Sequence, residues 1–465
     1  MRLAVALLLF AGLGCDSVFG LQHIDGPPDG QLVAPDLPDT YVTGRRSWHL
    51  VTNDPQRRPM LAEVPLPTPW TVELDDGTRP TVTMHDDGSF EFARAHAGQA
   101  YRLIASTNVF EVQHTSASLE LAQSYYGRLE RDPVTPGTTL GYTVPNAVQT
   151  ATTVAYVNTT GLWSSTQAPN VSSFTLDWTK QGSLSGPAGL LRVDENDRAF
   201  YILDDNVGGY TATIGYRADD ITIPAGGTPA ITGAYSAAVR DSCIHVLANH
   251  ASVAARLTQA GMTGSKVANW IVRSVPIAAN GPFVGFATAS AGQVGTLSNV
   301  DMNMMTANPY PGHDLVLSQS VFAARTFTAP GATAATLYEG SQHYVIPATS
   351  CAAPTVLDGA AAIPSDFMID GVPLTADGQP LAVPRPGSIT FSFRADGAAD
   401  RYRVDVYEIF KNASAATGFR LVTQIYSQKT DIRIDSSLLQ AGGSYTLLGV
   451  AEVGYPTAPV GDTAT

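Results

Sequence analysis

Basic residues and cysteine are what this chain has least of. It carries 27 Lys+Arg against 41 Asp+Glu, for a net charge of −14 and an isoelectric point near 5.0. It therefore lacks the basic surface that nucleic acid or electrostatic docking on anionic lipid requires. Charged residues make up only 15%, while 42 Gly and 31 Pro punctuate a chain that is 44% hydrophobic. Such a composition favours turn-rich β structure over charged helices and excludes disorder across the whole chain. Local catalytic signatures are missing too. None of the nine histidines has Glu three places on, His-Glu-x-x-His does not occur, and neither a Gly-x-Ser-x-Gly elbow nor a Gly-Lys-Ser/Thr phosphate loop is present. These absences remove the motif-bearing zinc peptidases, α/β-hydrolases and P-loop enzymes, and no cofactor is expected. A Ser-His-Asp triad assembled from distant residues leaves no local mark and stays open.

What the chain does have begins at its N-terminus. MRLAVALLLFAGLGC places Arg2 before an apolar run from Leu3 to Leu13 and then Gly14-Cys15, the layout of an export signal. The run is well short of the roughly 20 residues that a membrane-spanning helix needs. A cysteine directly after a small residue resembles the lipobox of bacterial lipoproteins, with Gly12 standing where that family prefers leucine. The resemblance implies that Cys15 is acylated and becomes the first mature residue, meeting a membrane through its acyl anchor. Plain secretion after cleavage behind Gly14 or Gly20 is the alternative. Pro27, Pro28, Pro35 and Pro38 and five aspartates then follow among few apolar residues, and residues 15–40 read as a tether. The expected location is the cell envelope, at the outer membrane, the cell surface or the periplasmic face.

A chain of 465 residues exceeds one hydrophobic core and suits several domains of roughly 100–150 residues. The expected fold is all-β, with several immunoglobulin-like or transthyretin-like antiparallel β-sandwich domains in series. After the signal (1–14) and tether (15–40) these are a sandwich over 41–106, a second over 107–230, a β-rich domain with one short helix over 231–350, and a last sandwich over 351–465. In the first, Trp70, Val72 and Leu74 alternate with polar residues, as do Phe90 and Phe92, between the turns Asp75-Asp76-Gly77 and Asp86-Asp87-Gly88. Asp87-Gly88-Ser89-Phe90-Glu91-Phe92, followed by Gly98 and Tyr101-Arg102-Leu103, resembles carboxypeptidase regulatory-like (transthyretin-like) domains, which implies a non-catalytic β-sandwich. The helix is expected over His250–Ala260, with Gly261 just past its end. The Gly/Pro-rich stretch 225–234 either separates two domains or connects two sheets. In the last unit five successive strands precede or contain Leu439-Gln440-Ala441-Gly442-Gly443-Ser444-Tyr445. That segment resembles the tyrosine corner of fibronectin type III domains, which implies a hydroxyl of Tyr445 bonded back to the chain. The whole resembles bacterial envelope lipoproteins built from such modules.

Few residues carry chemistry. Cys243 and Cys351 are either bridged, as export would allow, or two buried thiols. His245 and His250 are five apart, and His313 sits beside Gly312 and Asp314; a hydrolase site in the 109–347 region would gather them with a carboxylate and a serine. Asp194, Asp197, Asp204 and Asp205 flank the apolar segment AFYIL and offer oxygen ligands to calcium, although hairpin turns explain them better and no metal is expected. Trp163, in a Gly/Ser/Thr-rich stretch, is a candidate carbohydrate contact. The sequence thus points to an exported envelope protein with a structural, adhesive or ligand-binding role, without catalysis. Its partners would be the membrane and a protein or carbohydrate ligand; a hydrolase and a carbohydrate-binding protein are the alternatives.

Overall fold

Alternation of apolar and polar residues, broken by Asp-Gly and Gly-rich turns, gives strands with one face for a core and one for water. The computed structural model describes residues 40–65, 70–105, 108–113, 118–126, 132–143, 152–158, 163–167, 173–180, 182–183, 186–187, 189–275, 286–359, 361–374, 387–399 and 401–452. Its architecture is all-β, with several mainly antiparallel sheets.

The first unit holds β1 (Tyr41–Asn53), β2 (Pro59–Pro65), β3 (Thr71–Leu74), β4 (Thr83–Met84), β5 (Ser89–Ala93), β6 (Tyr101–Ala105), β7 (Asn108–Gln113) and β8 (Ser118–Tyr126). β1 pairs with β5 along its first half and with β2 along its second, and β8 runs parallel to it. β3, β6 and β7 make the facing sheet. Between the two sheets, Trp70, Val72, Leu74, Phe90, Phe92, Tyr101 and Leu103 form one core, where each buried large apolar side chain contributes roughly 1.5–3 kcal/mol. The turn into β5 requires glycine: Gly88 has φ +81°, and a Cβ there would lie 2.3 Å from the Arg46 carbonyl oxygen. The expected end at residue 106 falls short, because β7 hydrogen-bonds to β6 and β8 to β1.

The second unit follows with β9 (Thr139–Thr143), β10 (Thr152–Asn158), β11 (Trp163–Gln167), β12 (Ser173–Asp177), β13 (Gly182–Ser183), β14 (Gly186–Pro187), β15 (Arg198–Val207), β16 (Tyr210–Asp219), β17 (Ala230–Thr232) and β18 (Ser236–Ala237). The third has β19 (Ser242–Ala248), α1 (His250–Gln259), β20 (Lys266–Val275), β21 (Phe286–Val294), β22 (Val300–Thr306), β23 (Asp314–Phe327), β24 (Ala335–Val345) and β25 (Pro354–Leu357). A nine-stranded sheet in the order β11-β10-β15-β16-β21-β20-β23-β24, with β18 on β16, runs through both units. The stretch 225–234 carries β17, which pairs parallel with β9 in the small sheet β12-β9-β17. β25 lies past residue 350 yet pairs parallel with β19, so the third unit closes later than expected.

β22 pairs antiparallel with the other edge of β19, completing a second small sheet, β22-β19-β25, and the two small sheets and α1 cover the same face of the large sheet. Tyr201 and Leu203 pack in the second core, while Tyr210, Ala212, Trp270, Val272 and Leu317 pack in the third; the ladders place all of them on one face. Farther along that face, Val253 and Leu257 of α1 meet Ala268 and Val321. The helix ends as its sequence requires. Gly261 donates to the Thr258 carbonyl and Met262 to the Leu257 carbonyl, the paired bonds of a Schellman turn.

The last unit holds β26 (Ile363–Ile369), β27 (Val372–Pro373), β28 (Ser388–Asp396), β29 (Arg401–Lys411), β30 (Thr417–Ser427), β31 (Asp431–Asp435) and β32 (Ser444–Glu452). The sheet β27-β26-β28-β31 packs on β29, β30 and β32 through Phe391, Phe393, Val404, Val406 and Ile425. The Tyr445 hydroxyl accepts the Gln440 amide at 2.6 Å, the back-bond implied for that residue. One feature departs from a plain series of sandwiches: β30 pairs parallel with β7, so β3-β6-β7-β30-β29-β32 is a single six-stranded sheet shared by the first and last units.

Candidate functional site

The shared sheet is covered on opposite faces at its two ends. Val112 of β7 and Tyr426 of β30 pair across the join and belong to the first core. Ile425, one residue earlier, faces the other way into the last core and pairs with Glu111. The face of β3, β6 and β7 turned away from the first core therefore carries Glu73, Arg102, Glu111 and Gln113, in cross-strand register. Against this polar face stands β31, with Arg433 and Asp435.

Arg102 is the hub. Its Nη2 donates to Asp435 Oδ2 at 2.5 Å, its Nε to Glu111 Oε2 at 3.4 Å and its Nη1 to Glu73 Oε1 at 3.4 Å. Gln113 clasps β31 through the backbone, donating to the Arg433 carbonyl at 2.6 Å and accepting the Arg433 amide at 3.0 Å; it also donates to Glu111. Burial pushes the Glu111 carboxyl up, against the pull of Arg102. Burial would raise Asp435 too, but the Ser437 amide and the Arg102 guanidinium hold it below the ordinary carboxylate value. The two carboxylates on one arginine are thus driven in opposite directions by their surroundings.

These groups wall a cleft of about 380 Å³ between the first and last units. Gln99, Tyr101, Glu111 and Gln113 are its buried groups, while Asp75, His96, Ser388 and Arg433 stand at the exposed rim. Cleft sites at unit boundaries with convergent polar groups, in a range of roughly 300–1,000 Å³, are where small molecules bind. Asp75, Tyr101 and Arg102 are marked in the sequence only as turn and strand residues of a β-sandwich, and Glu111, Gln113 and Arg433 do not stand out at all, since polar positions alternating with apolar ones read as a solvated strand face. The available signal was two adjacent polar positions on one face, Glu111 and Gln113, in a strand short of loop residues.

The residues singled out from sequence lie elsewhere. Cys15 is outside the described residues. Cys243 and Cys351 are disulfide-bonded, with a Cα–Cα distance of 5.2 Å, and link β19 to the segment before β25. Asp194 is exposed and held by Arg192; Asp197 is fully buried and accepts the Arg192 amide at 2.8 Å. Asp204 accepts the Thr213 hydroxyl at 2.8 Å and is pushed up to about 7 by burial, and Asp205 accepts the Asn206 amide. Asp197 immediately precedes β15 and Asp204 is its seventh residue, roughly 23 Å apart at strand rise. They do not make one calcium site, and no group of three His, Cys, Asp or Glu suited to a metal occurs among the described residues. Trp163 opens β11, an edge strand of the nine-stranded sheet; its side chain lies outside the described part.

The histidines sit in separate environments. His245 Nε2 is 2.8 Å from Asp301 Oδ1 on the outer face of β19. His250 is fully buried at the start of α1 beside the Asn269 backbone, and burial lowers its pKa. His313 is buried in a turn against the Tyr310 ring, lowered to about 4 by burial. No helix among the described residues is long and apolar enough to cross a membrane.

No family model matches this chain, and no curated protein matches it. Among solved structures, the Bacillus anthracis TIE protein aligns with 89% of this chain and 69% of its own at 7% identity, with a TM-score of 0.14. At that value the alignment carries no argument about fold or function.

Proposed function

We propose that this is an exported cell-envelope protein, anchored through an acylated Cys15, which binds a ligand without catalysis in the cleft between its first and last units. The cleft is the observation that carries the reading: it joins Arg102 to Asp435, 333 positions apart, and it is a walled space with convergent polar groups. Two finer likenesses support the modular origin. The Asp87-Gly88 turn, with Asp87 Oδ1 accepting the Ser89 amide at 2.9 Å, suits a carboxypeptidase-regulatory-like first unit, and the Tyr445 corner suits a fibronectin-type-III-like last one. The proline-rich tether would hold the folded units clear of the headgroups.

Intact-mass analysis tests the anchor. Protein made in a bacterial host from its own N-terminus is compared with a Cys15→Ala version. The expected mature mass begins at Cys15 and includes acyl groups, both lost in the variant. An unmodified chain beginning at Cys15 or Leu21 overturns the anchor and leaves a freely exported protein.

A further inference from the structure

The charges that wall the cleft are closed upon one another. Arg102 is satisfied by Glu73, Glu111 and Asp435, so an ionic ligand reaching that depth would have to break existing pairs and bear their desolvation. At the rim, hydrogen-bonding capacity of both signs is left over. Asp75 accepts Gln99 Nε2 through Oδ1 at 2.9 Å, and its Oδ2 has no partner among the described residues. Arg433 donates through Nε and Nη2 to Ser388 Oγ at 3.3 and 3.0 Å, and its Nη1 has no partner among the described residues. His96 Nδ1 lies 3.2 Å from the Ala97 carbonyl oxygen, and its Nε2 has no partner among the described residues. A Cβ added at Gly98 or Gly387, both on the rim, would meet nothing within 4 Å, so no described residue crowds the mouth at either glycine.

An ammonium ligand could use Asp75 but would face Arg433, and a carboxylate or phosphate could use Arg433 but would face Asp75. A hydroxyl both donates and accepts, and neighbouring hydroxyls on one ring can bridge a carboxylate on one side and a guanidinium on the other. The larger part of the lining is apolar carbon, but its one large ring, Tyr101, is turned into the first core, so the space offers a wall for the C–H faces of a sugar ring and no stacking platform for an aromatic ligand. We propose that the cleft binds a neutral, hydroxyl-rich small molecule, a mono- or disaccharide, held at the rim by Asp75 and Arg433. This rests on the cleft being a ligand site, and it places sugar recognition on residues far from Trp163.

The test uses the mature chain with its N-terminus intact. Glucose, N-acetylglucosamine and cellobiose are titrated by calorimetry and saturation-transfer NMR beside glucosamine and glucuronate as charged probes. Asp75→Ala and Arg433→Ala serve as rim variants, both exposed, with unfolding temperature recorded for each. The expected result is that at least one neutral sugar binds with Kd of about 1 mM or tighter. Each rim variant should then weaken it about tenfold or more at unchanged unfolding temperature. If glucosamine or glucuronate binds tenfold tighter than its neutral counterpart and the rim variants abolish that, the cleft remains a ligand site and the sugar assignment is overturned. If no probe binds, or if binding ignores both variants, the sugar assignment and the cleft reading fall together, while the acyl anchor stands or falls on the mass measurement alone.

Discussion

The central units and the outer units each share a large sheet, but they cover it in opposite ways. In the centre, two small sheets and α1 all pack on one face of the nine-stranded sheet, so one row of apolar positions runs from Tyr201 through Trp270 to Val321. In the outer pair, the six-stranded sheet is covered on one face by the first unit and on the other by the last. Where coverage changes sides, strand positions that would otherwise point into a core belong to neither, and Glu73, Arg102 and Glu111 occupy them. One-sided coverage yields continuous core; two-sided coverage leaves a step, and the step is where a polar cleft can form. Contacts between the two bodies are local. Arg57 pairs with Asp220 at 3.0 Å, and Thr417 bonds to Thr333 and Ala329.

The contrast is tested most severely at Arg102. Arg102→Met leaves Glu73, Glu111 and Asp435 around an uncharged side chain, and removing one member of a buried ionic cluster costs about 3–5 kcal/mol, less here because Asp435 is partly exposed. Hydrogen exchange should rise in β7, β30 and β31 and stay unchanged in β20 and β23. Equal loss in the central strands would mean that the two bodies unfold as one and that the division is only geometric. Cys243→Ser probes the other side, because loss of the bridge to Cys351 should lower central stability by about 2–4 kcal/mol. Protection in β29 and β30 should not move.

Much of each sandwich was legible in the sequence, and almost none of the join. Trp70, Val72, Leu74, Tyr101 and Leu103 announced a core by period-two spacing, and Gly261 announced the helix end, because those signals are local. The pairing of β7 with β30 has no local signal: alternation says which residues share a face, never which strand lies alongside. For the same reason β25 was assigned to the last unit although it completes a sheet begun at β19. The cleft was invisible because its residues come from β6, β7 and the turns around Asp75 and His96 in the first unit and from β28 and β31 in the last, each reading as an ordinary turn or polar alternation. Conversely, the aspartates around β15 looked like a cluster only in one dimension, and an extended strand separates them.

Acid should act on the two bodies unequally. His313, in the central body, titrates at about 4 when folded and near 6.5 when unfolded. Below 6.5 the unfolded chain takes up the proton first, so stability is highest above that pH and falls between 6.5 and about 4, by roughly 2–3 kcal/mol. His313→Gln should flatten that part of the curve of unfolding temperature against pH. A curve unchanged by the substitution would place the acid sensitivity elsewhere, His250 being the next candidate. Asp204 behaves in the reverse sense. Its folded value of about 7 lies above the unfolded one, so the protonated carboxyl stabilises below the unfolded value and that contribution is lost as pH rises toward 7. Asp204→Asn should raise stability at pH 8 by roughly 4 kcal/mol and leave it nearly unchanged at pH 4; equal effects at both would show that the carboxyl does not titrate in this window.

The smallest effect belongs to Tyr445, and it sharpens the contrast by asking whether the last unit is stable in its own right. The hydroxyl accepts the Gln440 amide at 2.6 Å, while the ring packs at the margin of the last core. Tyr445→Phe keeps the ring and removes one acceptor, and because Gln440 is exposed, water can take its place. The cost should be about 0.5–1.5 kcal/mol, near the lower bound, with faster exchange confined to the Gln440 amide and the start of β32. A loss of several kcal/mol spreading into β7 would show that the corner and the join form one cooperative unit. The last unit would then depend on the first for its fold, and the cleft would be a seam within a single domain rather than a boundary between two.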